Sequence, residues 1–199
     1  MTVLVPGTEW RKFGGWGEDN ALFRLATEVL GQDADGARTE FFEWPGGNSH
    51  RSRLEAAEAL RDLITGHALS PNDKLHLIGH SHGGNVALLA SNLGLTHAID
   101  NLITLNKPTL TGSSYEAGEN VRRFFNISAR RDWLQWAGSN AKLSLTKWAM
   151  DPKAMNLLMD TSSSDLHPHA ALIWDDGIRA DWYAWLQKQI DLGAHAQPD

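Results

Sequence analysis

A mostly parallel α/β fold of about six strands, with helices on both faces of the sheet, is the architecture that this sequence predicts. Three observations carry it. Short apolar runs of strand length alternate with segments of helical periodicity, the pattern of successive βα units. The run from Lys74 to Ile78 ends in Gly79-His80-Ser81-His82-Gly83 and passes at once into a helical pattern, giving a strand, a sharp turn and a helix with a serine at the apex. A length of 199 residues without internal repeat or long linker suits one domain. We place that domain at 1–192 and read 193–199, ending in Gln197-Pro198-Asp199, as a flexible tail.

In order, Val3 to Val5 is a short buried strand running into the turn Pro6-Gly7-Thr8. Phe13 to Gly17 is a loop whose glycines have neither the spacing nor the lysine of a phosphate cradle. Leu22, Leu25, Ala26, Val29 and Leu30 recur at helical spacing and form the first covering helix. Phe41 to Trp44 is a strand closed by Pro45-Gly46-Gly47. Asn48 or Ser49 then caps a helix whose inner face is Ala56, Ala57, Leu60, Leu63 and Ile64. Past the apex serine, Val86, Leu88, Leu89 and Leu93 mark a helix that Gly94 ends. Ile99 to Leu105 and Val121 to Ile127 are strands, with Asn106-Lys107-Pro108 and a polar loop between them. Residues 134–153, with Trp136 and Trp148, read as a helical excursion that is either a lid or surface filling. Ala154 to Asp160 is the last strand. The loop from Thr161 to His169 leads to a C-terminal amphipathic helix marked by Ile178, Trp182, Trp185, Leu186 and Ile190.

The composition narrows the function. A net charge of -6 without a Lys/Arg cluster argues against nucleic acid as a partner. The absence of cysteine excludes disulfides, a thiol nucleophile and a Cys-ligated zinc site. No apolar run is long enough to span a bilayer, and Met1 leads straight into Val3 without a basic and apolar leader. We therefore expect a protein that is cytoplasmic, or exported without a cleavable signal peptide. Core packing accounts for most of the nine tryptophans, and an acyl-chain groove for some.

The apex turn carries the chemistry. A residue held in so sharp a turn needs small residues two before and two after it, and Gly79 and Gly83 meet that need. The turn holds the Ser81 hydroxyl clear of the backbone and lets the His82 amide face an oxyanion. A plainer reading makes Ser81 a helix N-cap with its hydroxyl on a backbone amide.

Gly-His-Ser-x-Gly-Gly at 79–84, together with Trp44-Pro-Gly-Gly-Asn-Ser-His50 followed by Arg53, makes the chain resemble the α/β-hydrolase superfamily, in particular its bacterial lipase and esterase-like members. The resemblance covers most of the chain and implies a small sheet lacking the first strands of larger members. It implies an acid in the loop after the Val121–Ile127 strand, where Asp132 lies. An ion pair with Arg130 or Arg131, or a helix cap, is the alternative for that residue. It also implies a histidine between the last strand and the last helix. His167 is the first choice and His169 the alternative base; family members often carry this histidine slightly earlier, where the chain has serines. The oxyanion hole would be the backbone amides of His82 and Thr8.

The expected activity is hydrolysis of carboxylic esters, lipid or other acyl esters, by Ser81, His167 and Asp132 through an acyl-enzyme, with no cofactor and no metal. The expected partner is the ester substrate, with transient contact to a lipid surface; nothing in the sequence fixes the oligomeric state. Two other readings stand beside it. One is a catalytically silent binding module, favoured if a triad position were empty; all three are filled. The other is a metallohydrolase built from His80, His82, His167, His169 and Asp132, against which a tight elbow aims neighbouring side chains apart.

Overall fold

In a computed structural model of the chain, β1 (Thr2–Val5), β2 (Thr39–Phe41), β3 (His76–His80), β4 (Asn101–Leu105), β5 (Phe124–Ala129) and β6 (Met155–Met159) form one sheet. The order across it is β2-β1-β3-β4-β5-β6, and every neighbouring pair is parallel. The structure describes residues 1–8, 22, 23, 26, 30, 38–138 and 150–195. The glycine-rich loop at 13–17, most of the first covering helix and the middle of the 134–153 excursion lie outside these.

Alternate residues of a strand face opposite sides, and a parallel sheet covered on both sides is apolar on both. Val3, Val5, Leu77, Leu102 and Phe124 pack with Ala56, Ala57, Leu60 and Ile64 of α1 (His50–Gly66) and with α2 (His82–Ser91). Leu4, Ile78, Ile103, Phe125 and Ile127 face the other way. They pack with Leu22, Ala26, Leu172 of α4 (Pro168–Trp174), and Ile178, Trp182 and Leu186 of α5 (Asp176–His195). Helix α1 begins where the Ser52 N–H donates to the Ser49 hydroxyl at 3.0 Å, the cap expected from sequence. Every residue of α2 is buried, wedged between the sheet and α1. The Trp182 indole N–H donates to the Leu172 carbonyl at 2.9 Å and ties α5 to α4.

Several boundaries differ from the expectation, among them β4, which starts at Asn101 rather than Ile99, and α2, which ends at Ser91. The strand expected at Phe41–Trp44 lies at Thr39–Phe41 instead, and beyond it Trp44 donates its indole N–H to the Pro6 carbonyl at 2.8 Å. Val121 makes only an isolated bridge with Ile99, so β5 starts later and continues to Ala129. Helix α5 runs through His195, beyond the expected start of the tail. Among the described residues no helix is long and apolar enough to cross a membrane.

The chain runs from β1 outward to β2 and returns to β3 on the other side of β1. That reversal makes the crevice above the carboxyl ends of β1 and β3 the place where an open parallel sheet presents its ligand site.

Candidate active site

Ser81 sits immediately after β3 with φ 52° and ψ -131°. Its amide donates to the Leu105 carbonyl at 2.8 Å, fixing the turn to the end of β4. Neighbouring backbone leaves no room for side chains here. A Cβ on Gly79 would lie 2.5 Å from the Gly84 Cα, and one on Gly83 would strike the carbonyl oxygens of Val5 and Pro6. Ser81 occupies the N-cap position of α2, yet its hydroxyl makes no capping bond. The capping role weighed from sequence is therefore not what the side chain does.

The described non-glycine residues with positive φ are Ala68, Ser81, Asn106 and Arg131. Three of these four follow β3, β4 and β5 directly or within two residues, around the same crevice. Strain of this kind persists only where the surroundings enforce it, and it gathers at functional sites.

Asp132 precedes α3 (Trp133–Gly138) and is fully buried. Its Oδ1 accepts the Gln135 N–H at 3.0 Å, and its Oδ2 lies 2.6 Å from Nδ1 of His169. One oxygen of this carboxylate thus makes the cap, and the other faces a histidine. The pairing expected of His167 belongs to His169. Pro168 takes the first position of α4, which its fixed φ favours, and so places His167 at the N-cap and His169 in the first turn. His167 Nδ1 accepts the His169 N–H at 3.1 Å, and its ring meets Trp133 edge-on with centroids 5.5 Å apart.

Sequence reasoning missed the groups that hold His169 in place. Asn106 Nδ2 donates to the carbonyls of Pro168 and His169, both at 3.1 Å, while its Oδ1 accepts the Ala129 N–H at 2.7 Å. His80 Nε2 donates to the same His169 carbonyl at 3.1 Å, and the two rings lie 4.8 Å apart. Burial, with the adjacent His169, pushes His80 well below the usual imidazole pKa. His80 is therefore a neutral strut. The signal was present in Asn106, a residue type that tolerates left-handed backbone, standing directly after a strand.

His82 is buried. Its Nδ1 faces Nη1 of Arg53 and Nδ2 of Asn85, each at 3.4 Å. Both are donors, so Nδ1 is the acceptor and the ring proton is on Nε2. Burial first, then Arg53, lowers the His82 pKa to about 4. His80 and His82 thus point to different partners, and no group of three or more His, Cys, Asp or Glu among the described residues is arranged to hold a metal.

The loop after β1 packs against the elbow. A Cβ on Gly7 would come within 2.8 Å of the Ser81 Cβ, so glycine is required for this approach. Thr8 follows, with its hydroxyl buried and unpartnered among the described residues. Trp44 holds the loop through Pro6. A separate cavity of about 400 Å³, lined by Ile64, Leu69, Leu95 and Arg122 among others, lies at the opposite end of the sheet and is no part of this site.

Six parallel strands between helical layers, with a strained serine after the third strand, define a hydrolase-type α/β protein. The chain belongs to the alpha/beta hydrolase family, whose sequence profile matches residues 2–198. No curated protein sequence matches it. Among solved structures, a protein assigned to the α/β hydrolase superfamily from Xanthomonas campestris pv. campestris is similar at 20% identity and TM-score 0.58, covering 94% of this chain and 98% of that one. A thermostable carboxylesterase cloned from a metagenomic library is similar at 13% identity and TM-score 0.54, covering 99% of this chain and 80% of that one. A cutinase-like protein from Cryptococcus sp. has 16% identity and TM-score 0.51, covering 95% and 93%. These likenesses are of fold.

Proposed function

We propose that the chain is a serine esterase with Ser81 as nucleophile, His169 as general base and Asp132 as the orienting acid. The observation that supports this most is the 2.6 Å pair between His169 Nδ1 and a fully buried Asp132 carboxylate. With Nδ1–H donated to Asp132, the lone pair of His169 is on Nε2, ready to take the Ser81 proton. The Ser81 oxygen then adds to the ester carbonyl carbon, the carbonyl electrons move onto oxygen, and the His82 and Thr8 amides bind that oxyanion. His169 protonates the departing alkoxide as the tetrahedral intermediate collapses to an acyl-enzyme. Water, deprotonated by His169, releases the acid and restores Ser81.

The substrate class is an acyl ester, with transient contact to a lipid surface. Trp133, Leu134 and Leu166, exposed by 59%, 40% and 41%, are apolar side chains on the segments that carry Asp132 and precede His169. They supply a greasy rim on that side of the crevice.

Intact-mass analysis after reaction with a fluorophosphonate tests the mechanism. One adduct on wild type and none on Ser81→Ala or His169→Ala is expected. A folded wild type that takes up no probe, in buffer or with detergent micelles, would leave a silent binding module in place of an enzyme.

A further inference from the structure

Arg53, Lys107 and Arg179 are the buried cations among the described residues. Lys107 is paired with Asp151 and Arg179 with Asp176. Arg53, only 7% exposed, has no carboxylate partner among the described residues. Its Nε donates to the Tyr115 hydroxyl at 3.1 Å, and its Nη1 reaches Oδ1 of Asn48 at 3.2 Å and Nδ1 of His82 at 3.4 Å. The guanidinium carbon lies 5.6 Å from the Tyr115 ring centroid. Every one of these partners is neutral. The Tyr115 hydroxyl also pairs with Nδ1 of His50 at 2.8 Å. His82 is held neutral by burial and by Arg53 itself. Nη2 donates to nothing among the described residues.

A guanidinium taken out of water without a counter-charge is costly, and proteins keep one where an anion arrives to complete it. The place is defined by chain connectivity. Arg53 touches the side chain of the residue directly after Ser81, whose amide is the proposed oxyanion donor. Nε and Nη1 are already held by Tyr115, Asn48 and His82, leaving Nη2 for an incoming oxygen.

We propose that Arg53 forms an anion subsite beside the elbow, so that the preferred ester carries a carboxylate or phosphate group on the part of the substrate lying against His82. This rests on the serine esterase reading and narrows its substrate class.

Three p-nitrophenyl esters of matched chain length test it: the monoester of adipic acid, its methyl-capped neutral counterpart and a terminal phosphonate analogue. Wild type should favour at least one anionic ester over the neutral one by about ten- to a hundredfold in kcat/KM, mainly through KM, the range for a charge-assisted hydrogen bond. The carboxylate and phosphonate arms tell which oxyanion is taken. In Arg53→Gln the preference should fall to about one, and in Arg53→Lys it should be partly kept, since a point charge replaces a fork. No anionic preference in wild type, or a preference undiminished in a folded Arg53→Gln, overturns the proposal. If Arg53→Gln does not fold, the wild-type ratios and Arg53→Lys decide. A wild type that hydrolyses none of the esters and takes up no fluorophosphonate refutes the esterase reading instead. The subsite is then judged by thermal shift: adipate, but not adipamide, should raise the Tm of wild type, and equal shifts would sink it.

Discussion

His169 Nδ1 lies 2.6 Å from Oδ2 of Asp132, and the second oxygen of that carboxylate accepts the Gln135 amide. One carboxylate thus starts α3 and orients a histidine thirty-seven positions away in sequence. Asp132→Asn keeps the shape and the cap but puts an amide beside Nδ1, favouring the wrong imidazole tautomer. Turnover should fall by about 10⁴-fold with little change in Tm. His169→Ala should fall as far, whereas His167→Ala should retain most activity; steady-state kinetics on a p-nitrophenyl ester distinguishes them, and the opposite ranking would return the base to His167.

Asn106 joins the ends of β4 and β5 to the carbonyl of His169. Asn106→Gly accepts the φ of 50° while removing all three side-chain bonds. It should lower kcat by up to about 10²-fold with KM nearly unchanged, because misplacing a base by about 1 Å costs that much. A loss confined to Tm would make Asn106 a structural strut without bearing on His169.

Gly83 has no space for a Cβ, because the carbonyls of Val5 and Pro6 pass over it. Gly83→Ala should cost about 3 kcal/mol or more in urea unfolding, as backbone rather than a side-chain end must move. Gly94→Ala is the contrast, with open space around it and only a φ of 74° to oppose, and should cost about 1 kcal/mol. Equal costs would mean that the elbow can relax.

Burial lowers the pKa of His76 to about 4, and Nδ1 of the neutral ring accepts from Asn101 Nδ2 at 2.8 Å. An unfolded imidazole titrates near pH ~6.5, so below that the unfolded chain binds a proton that the folded chain refuses. Stability is therefore lost as pH falls through the window from about 6.5 to about 4, by roughly 1 kcal/mol per pH unit for such a group. His76→Asn should shallow that slope by about this amount in urea melts at about pH 5 and 6. Unchanged slopes would show that His76 does not contribute.

Lys107 is buried 3.4 Å from Asp151, and burial lowers its pKa against the pull of that partner. Asp151→Ala should destabilise by about 3–5 kcal/mol, because it strands a buried ammonium. Adding Lys107→Met should restore much of the loss. A double variant no better than the single one would assign the cost to the Asp151 carboxylate's other bond, accepted from the Lys153 N–H at 3.1 Å.

The strands, the two core faces, a helix cap at Asn48 or Ser49 and the strained serine between glycines were legible in the sequence. Most depend on residues close together in the chain: alternation decides which face is apolar, and Gly84 leaves no room for a Cβ on Gly79, whereas the space at Gly83 is closed by the distant Val5 and Pro6 carbonyls. Tertiary structure alone decided which histidine meets Asp132. His167 and His169 share a loop and a chemistry, and the choice fell to Pro168, which starts α4 between them. The struts from Asn106 and His80 and the placement of Arg53 against His82 were equally hidden. They are contacts between segments brought together only by the sheet order β1-β3-β4-β5 and by α1 packing on α2. Spacing along a chain records none of those distances.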